Sequence, residues 1–317
     1  MRHTVWWAMA CFLLVACAGT TDSRRETPPT SAVRPTSTST PTSTATSTAN
    51  STEAAGPASS APTTPARTTT TAPAPVKPPR SGAPSAAVRT SLRGDPNDAF
   101  AFAPLSNPGH VTVEGSVSSY KAWSTSKVLV VAAFLDTVCG GDPARASAQQ
   151  RRWVTAALTA SDMDAVLALR DAIPGSPGAA ITRVLRSIGD SRTVAPDTSQ
   201  GGMQWTIREQ VRFMAALSAG RVVSRAASAY LLSSMRPIPA HRWGLGTISA
   251  GPFKGGWLRS DTVTRQMGIV DGYAVAIITD AQGPAVLQSD GDSAHVAQMN
   301  YLAKILKRRL ALESGRG

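Results

Sequence analysis

The pattern of apolar and polar positions divides the chain into three parts. Apolar residues dominate positions 5–16. Large apolar residues are almost absent from about 18 to 85 and then recur with helical and strand periods. The first run is too short to cross a bilayer, which needs about 20 apolar residues. The second part cannot bury enough apolar surface to offset its ordering entropy. We therefore expect a leader over 1–16, a disordered Thr/Ser/Pro-rich linker over 17–85 and one folded domain over 86–317.

The periodicity of the third part predicts two strands, a block of helices, three further strands and a closing helix. The runs "DAFAFAPL" and "HVTVEG" are joined by a Ser-Asn-Pro-Gly turn, and "TRQMGIV" and "YAVAIITD" are joined by Asp271-Gly272; both are hairpin patterns. Thr206 and Glu209 have the spacing of a capping box. The expected helices run from about Ser124 to Val138 and over Ala146–Ala160, Asp162–Ile173, Ala179–Ile188, Thr206–Ala219, Ser224–Met235 and Ser293–Leu310. This order predicts an α+β fold in which N- and C-terminal strands share one antiparallel sheet around a helical insertion.

The end of the leader predicts a lipid anchor. Leu14-Val15-Ala16-Cys17 resembles the bacterial lipobox, in which the cysteine is diacylated and becomes the mature N-terminus. Two or more acyl chains give stable anchoring. We therefore expect an exported protein held through Cys17 at the outer face of the cytoplasmic membrane. The alternative is an ordinary secretion leader whose cysteine is incidental. Cys11 would leave with the leader, so Cys139 has no intramolecular disulfide partner.

The composition narrows the classes of partner. The formal net charge of +12 would favour anionic wall polymers or lipid headgroups, although an arginine-rich composition is the simpler interpretation. No nucleic-acid motif is present, and the aromatic residues are not interleaved with basic ones. His110, His241 and His295 lack metal-ligand spacing. We expect a monomeric domain with no metal, no cofactor and no nucleic-acid partner.

The first candidate for chemistry is Ser124-x-x-Lys127 at the start of a predicted helix. Residues three apart share one helix face, and an alkoxide at Ser124 would lie near the positive end of the helix dipole. A lysine in a partly buried, cationic setting has a lowered pKa and can take the proton of the serine. The alternative is a polar cap on a buried helix, because serine and threonine are favoured at helix starts.

Two further motifs support the nucleophile. Ser161-Asp162 lies at a junction between predicted helices, and Lys254-Gly255-Gly256 lies on a predicted strand. Ser-x-x-Lys, Ser-Asp-x and Lys-x-Gly in this order resemble the motifs of serine β-lactamases and penicillin-binding proteins, and the resemblance is nearest to the class A β-lactamase-like domain. The phrases "KAWSTSK", "HRWGL" and "KGGWLRSDTVTRQMG" are similar to those of actinobacterial members. The resemblance covers essentially the whole folded part.

This resemblance implies an acyl-enzyme mechanism on β-lactams or D-Ala-D-Ala-like wall peptides. It implies that Ser124 attacks the carbonyl and that Lys127 helps to deprotonate it. Ser161 would relay a proton to the leaving nitrogen, and Lys254 would support Ser161 and attract the substrate carboxylate. The backbone N–H groups of Ser124 and Trp257 would form the oxyanion hole, where one donor typically contributes about 3–4 kcal/mol.

Four residues are expected to contact the substrate. Gly255 and Gly256 allow the strand to approach a ligand closely. Arg265 opens the next strand and is either a second carboxylate anchor or a surface arginine. Met163 stands where the family usually has asparagine, and it cannot donate a hydrogen bond to a substrate amide. Gly255 also departs from the family, because it has no hydroxyl for the substrate carboxylate.

The segment expected to carry the deacylating base differs most from the family pattern. Class A β-lactamases use a loop glutamate there, whereas "SRTVAPDTSQGGMQWT" contains only Asp197. Asp197 is either the base or a turn and Asx-cap residue. Asp162 and Asp164, next to the site, are similarly explained as helix-start residues. Two functions follow: a serine hydrolase with slow deacylation, or a non-hydrolytic module that binds wall peptide, antibiotic or a partner protein.

Overall fold

Alternation of alanine and phenylalanine along the first strand, β1 (Asp98–Pro104), gives the central sheet two different faces. The computed structural model describes residues 89–258, 260–280 and 294–315. The alanines of β1 lie in a buried cluster with the helical layer, while Phe100 and Phe102 lie in a second buried cluster with the C-terminal helix. Successive strand residues point to opposite faces. The domain is therefore layered, with helices on both sides of the sheet.

The sheet has five antiparallel strands in the order β2-β1-β5-β4-β3. The remaining strands are β2 (Thr112–Gly115), β3 (Phe253–Gly256), β4 (Thr264–Val270) and β5 (Tyr273–Thr279). Asp271 and Gly272 both have positive φ, 47° and 81°, as a two-residue β4–β5 hairpin requires. The predicted α+β class is confirmed, with N- and C-terminal strands in one sheet.

Six helices connect β2 to β3 within the described residues, and a seventh follows β5. Their bounds are α1 (Lys127–Thr137), α2 (Ala148–Thr159), α3 (Met163–Asp171), α4 (Pro177–Ser187), α5 (Ile207–Ser218), α6 (Arg225–Ser234) and α7 (Ala294–Ser314). Five of them begin at a polar N-cap side chain that accepts a backbone N–H: Ser147, Asp162, Ser176, Thr206 and Ser224. These caps fix the residue at which each of the five helices begins.

The predicted capping box of α5 is only half formed. The Thr206 hydroxyl accepts from the Glu209 backbone N–H at 3.3 Å. The Glu209 carboxylate does not return to Thr206, because its Oε1 accepts from Arg212 Nη1 at 2.8 Å. Cys139 is a buried free thiol.

The described residues contain no helix that is long and apolar enough to cross a membrane, and no group of three or more potential metal ligands. The predicted leader, Cys17 lipidation site and linker over 1–85 lie outside the described residues, so these stay predictions.

Candidate active site

Ser124 lies in a one-turn 3-10 helix, Trp123–Ser126, that leads directly into α1. The next two hydroxyls are engaged within the protein: Thr125 accepts from the Gln210 amide at 2.9 Å, and Ser126 donates to the carbonyl one turn earlier at 2.7 Å. Neither helical segment begins with a side-chain cap. No hydrogen bond among the described residues involves the Ser124 hydroxyl, which faces a cavity. The polar-cap interpretation of Ser124 is therefore wrong.

Lys127 is buried beside the start of α3, with 3% of its surface exposed. Its Nζ lies 3.4 Å from the Asp162 carbonyl oxygen and 3.7 Å from Met163 Sδ. Burial lowers the pKa of the Lys127 ammonium from 10.5 to about 8, although the Asp162 charge acts in the opposite direction. Within the described residues its Nζ makes no hydrogen bond to the Ser124 hydroxyl, although both residues line the same cavity.

Ser161 and Lys254 meet at the other end of the site. Ser161 has a left-handed backbone, φ 63°, in the link between α2 and α3. Lys254 Nζ donates to Ser161 Oγ at 2.7 Å and to the Gly255 carbonyl at 2.8 Å. Burial, and then the charge of Lys127, lower the pKa of Lys254 well below its ordinary value. Protonation of one lysine therefore makes protonation of the other less favourable.

Gly256 brings the edge strand β3 against the Ser124 turn. A β-carbon built on Gly256 would lie 2.8 Å from the backbone nitrogens of Ser124 and Thr125 and 2.9 Å from the Ala122 carbonyl oxygen. No side chain fits there, so glycine is required by contact rather than by its φ angle. The contact places the backbone of Trp257, the next residue, beside the Ser124 turn. The first N–H groups of a helical turn lack intrahelical acceptors.

Trp257 occupies the space that a side chain at position 255 would need. A β-carbon on Gly255 would approach the Trp257 ring to 3.3 Å. The indole packs edge-on against His241 and Trp243, with ring centroids 5.0 and 5.1 Å away. The absence of a side chain, and hence of a hydroxyl, at Gly255 thus leaves room for the tryptophan two residues later. His241 lies at this aromatic cluster, at the rim of the site.

The structure contradicts both roles that the sequence suggests for Arg265. Arg265 is neither a surface arginine nor a free carboxylate anchor, because it is 0% exposed. Its Nη1 donates to the Tyr120 and Lys121 carbonyls at 2.7 and 2.9 Å, and its Nη2 donates to the Trp205 carbonyl at 2.7 Å. Burial lowers the pKa of its guanidinium. Arg265 therefore fixes the segment that precedes Ser124 to the segment that precedes α5.

The Asp197 carboxylate lies at the start of α4. It accepts from the Ser176 hydroxyl and from the Gly178 N–H at 2.9 Å. These two bonds lower the pKa of Asp197. Asp197 is exposed and does not line the cavity at Ser124. These contacts are those of a helix-start residue, which is the cap alternative of the sequence analysis, and they hold the carboxylate away from the cavity. Asp162 likewise caps α3 by accepting the Ala165 N–H at 2.8 Å.

The cavity at Ser124 has a volume of about 300 Å³. Its walls include Met163, whose side chain is 58% exposed, and the Ser199–Gly202 loop. Among the described residues that line it there is no aspartate or glutamate. Gln200, a polar residue of this loop, donates its side-chain amide to the Pro196 and Asp197 carbonyls at 3.1 and 2.7 Å. The loop therefore supplies no carboxylate to this side of Ser124.

One contact beside the nucleophile was missed by sequence reasoning. Lys121 Nζ lies 2.6 Å from Asp261 Oδ2 and 5.3 Å from the centroid of the Trp123 ring. This ion pair joins the approach to the Ser124 turn to the β3–β4 connection. Lys121 precedes the serine motif directly, but its partner lies 140 positions away. A pairing over that distance leaves no local pattern in the sequence.

Comparison with solved structures identifies the fold. No family model and no curated protein matches the chain. A β-lactamase from Chitinophaga pinensis is 16% identical, with a TM-score of 0.54 over 69% of this chain and 94% of that chain. A variant of the last common ancestor of Gram-negative bacteria class A β-lactamase is 17% identical, with a TM-score of 0.53 over 70% and 94%. The penicillin-binding protein PBP-A is 19% identical, with a TM-score of 0.51 over 70% and 94%.

These similarities cover nearly the whole of each solved structure and about seven tenths of this chain. At such identities they establish the fold alone. The described domain has the β-lactamase-like fold of class A β-lactamases and penicillin-binding proteins.

Proposed function

We propose that the domain is a serine hydrolase of the β-lactamase and penicillin-binding-protein type, which forms an acyl-enzyme on Ser124. The observation that carries the proposal is an unengaged serine hydroxyl beside two buried lysines. Each lysine has a lowered pKa, and their charges repel each other. A lowered pKa leaves a larger fraction of each amine neutral at a given pH, so that it can act as a base.

The proposed acylation conserves protons. Ser124 Oγ forms a bond to the substrate carbonyl carbon while its proton passes to the neutral Lys127 amine. The negative charge on the carbonyl oxygen is stabilised by the N–H groups of Ser124 and Trp257. The carbon–nitrogen bond then breaks, and Ser161 Oγ gives its proton to the leaving nitrogen. The proton held by Lys127 returns to Ser161, with Lys254 orienting the hydroxyl.

Deacylation is the slow step in this proposal. Water must be deprotonated to attack the ester at Ser124, and no carboxylate lines the described cavity. Asp197 is held at the start of α4 by two hydrogen bonds. A neutral lysine is the remaining base, and it is shared with the acylation step. We therefore propose that β-lactams or D-Ala-D-Ala-like wall peptides leave a long-lived adduct.

Intact-protein mass spectrometry after incubation with a fluorescent penicillin tests the proposal. We expect one stoichiometric adduct on the wild-type domain and none on Ser124→Ala. Ser126→Ala, which removes the buried hydroxyl of the same turn, is the matched control and retains the adduct. An adduct that survives in Ser124→Ala, or no adduct with several β-lactams, would contradict the proposal.

A non-hydrolytic binding module is the second candidate. Met163 replaces a hydrogen-bonding residue beside Lys127, and Gly255 lacks the hydroxyl of the third motif. Such a domain would bind wall peptide, antibiotic or a partner protein without forming a covalent bond. Reversible penicillin binding, unchanged in Ser124→Ala, would favour this candidate over the hydrolase.

We also propose that the domain acts as a monomer outside the cell, tethered through lipidated Cys17 and the linker over 17–85. The support is the lipobox-like tetrapeptide and the low apolar content of the linker. Membrane fractionation of the full chain and of Cys17→Ala tests the anchor. We expect the variant to leave the membrane fraction.

A further inference from the structure

The cavity at Ser124 continues along one face of α3. Met163, Val166, Leu167 and Arg170 line it. Their spacing of three, four and seven residues places all four side chains on the same side of the helix. Since an α-helix rises 1.5 Å per residue, Arg170 lies about 10 Å along the axis from Met163. The cavity is thus an apolar channel with a guanidinium at its far end.

The near end of the channel is the base side of the proposed mechanism. Met163 Sδ lies 3.7 Å from Lys127 Nζ, and both Ser124 and Lys127 line the cavity. Ser161 and Lys254, the proposed partners of the leaving nitrogen, are not among the lining residues. A substrate carbonyl at Ser124 therefore has its leaving group toward Ser161 and its acyl group toward the channel.

The wall opposite α3 leaves room for a ligand. Gly201 and Gly202 contribute no side chains, and a β-carbon on Gly202 would meet no atom within 4 Å. The Trp257 indole and the Leu258 side chain complete an apolar lining. A volume of about 300 Å³ is at the lower end for small-molecule sites. It suits an acyl chain rather than a large ring system.

Arg170 has capacity for an anion. Its Nε and Nη2 donate to Asp171 Oδ1 at 3.0 and 2.8 Å, and no acceptor among the described residues contacts Nη1. The Asp171 side chain is 65% exposed, whereas that of Arg170 is 17% exposed. Because the carboxylate of this pair is largely solvated, the pair is weak, and a ligand carboxylate can share or replace it.

We propose that the acyl group recognised at Ser124 is an apolar chain that ends in a carboxylate, with the chain on the α3 face and the carboxylate on Arg170. This inference rests on the proposed function, because it assigns the acyl half of the same substrate. It extends that function by naming the chemical class of the acyl group.

Two aryl esters of matched length test the assignment. Mono-p-nitrophenyl suberate and p-nitrophenyl octanoate carry eight-carbon acyl chains that differ in the terminal carboxylate. We expect the suberyl adduct on Ser124 to form about fivefold faster, the ratio that one partly exposed ion pair provides. Arg170→Gln should abolish the preference. Arg183→Gln, an exposed arginine of α4 outside the cavity, should retain it.

The outcomes separate the two proposals. If p-nitrophenyl acetate and octanoate acylate Ser124 but suberate has no advantage, the carboxylate site is overturned and the hydrolase stands. If no ester or penicillin forms an adduct, the hydrolase proposal fails. Calorimetry then measures whether monomethyl suberate binds to the Ser124→Ala variant. Binding that is lost when Arg170→Gln is added supports the carboxylate site, and absence of binding overturns it.

Discussion

Lys254 Nζ and Ser161 Oγ lie 2.7 Å apart, although 93 positions separate the two residues in the chain. Ser161 belongs to the helical layer and Lys254 to the edge strand of the sheet, so this hydrogen bond joins the two layers at the site. The left-handed backbone of Ser161 turns its side chain toward the strand. Such a conformation is uncommon for a residue other than glycine and costs on the order of 1 kcal/mol or more.

Lys127→Met should stabilise the domain in a pH-dependent way. The pKa of Lys127 is lowered from 10.5 to about 8 by burial, so the unfolded chain binds more protons than the native one between these values. The wild-type free energy of unfolding therefore rises as pH increases from 8 to 10.5, and the burial cost is fully present below pH 8. We expect the variant to be more stable at pH 7 by up to about 3 kcal/mol.

Urea denaturation at pH 7 and pH 10 measures this difference. The advantage of Lys127→Met should shrink at the higher pH, because the wild-type lysine is then neutral in the native state. An advantage that is equal at both pH values would mean that the ammonium is solvated rather than buried.

Acylation of Ser124 should accelerate with pH around the same titration. Lys127 accepts the serine proton only when it is neutral, and its pKa of about 8 leaves roughly one tenth of it neutral at pH 7. We expect the penicillin acylation rate to rise between pH 6 and 9 with a midpoint near 8. In Lys127→Met the rate should fall by a factor of about 100 or more. Stopped-flow fluorescence gives the rates, and a flat profile would remove Lys127 from the base role.

Gly256→Ala should displace the nucleophile. The added methyl would lie 2.8 Å from the Ser124 nitrogen, a separation that real β-carbons do not have. We expect a loss of about 1–3 kcal/mol in stability and a larger fractional loss in acylation rate. Gly251→Ala is the matched control, because its methyl would meet only the Ile269 carbonyl oxygen, at 3.9 Å. Equal acylation by the two variants would show that β3 does not fix the turn.

Arg265→Met should destabilise the fold without removing a substrate contact. The change leaves the Lys121 and Trp205 carbonyls without their donors, whereas the Tyr120 carbonyl keeps the Trp205 N–H at 3.0 Å. Each unsatisfied buried group costs about 1–3 kcal/mol. We expect a loss of about 3 kcal/mol or more in urea denaturation. Arg265→Lys should recover only part, because one ammonium cannot reproduce the planar fork. Full stability with a raised substrate KM would instead support a substrate anchor.

Asp197→Ala should leave the acyl-enzyme lifetime unchanged. The carboxylate binds the start of α4, so its removal should lower the stability slightly without changing the chemistry at Ser124. The lifetime is measured by the decay of the penicillin adduct in mass spectrometry. A lifetime prolonged tenfold would return Asp197 to the deacylation step.

Local pattern was sufficient to predict most of the fold. Strand alternation and the Asp271-Gly272 turn specify β4 and β5, and Ser161-Asp162 marks the α2–α3 junction that the structure contains. The position of Ser124 at a helical turn was also predictable. These features depend on residues within one or two turns of each other, where propensity and capping act.

The use of individual charged residues was less predictable. Arg265 has the sequence context of an exposed strand residue, yet it is buried because three backbone carbonyls from distant segments converge on it. Asp197 was a candidate base because its segment has no other carboxylate. In the structure this carboxylate instead accepts hydrogen bonds from Ser176 and Gly178. In both cases the partners are set by tertiary packing, which leaves no periodic signature.

The small side chains of the sheet set the distance between the sheet and α5, and this distance affects the position of the nucleophile. Ala101 of β1 stands directly opposite Ala276 of β5, on the face that α5 covers. Their methyl groups act as a thin spacer between α5 and the sheet, and Gln210 of α5 in turn holds Thr125, the neighbour of Ser124. A valine in this spacer would thicken it and move the helix outward. The reactivity of the serine is therefore sensitive to volume in a layer of the protein that no substrate touches.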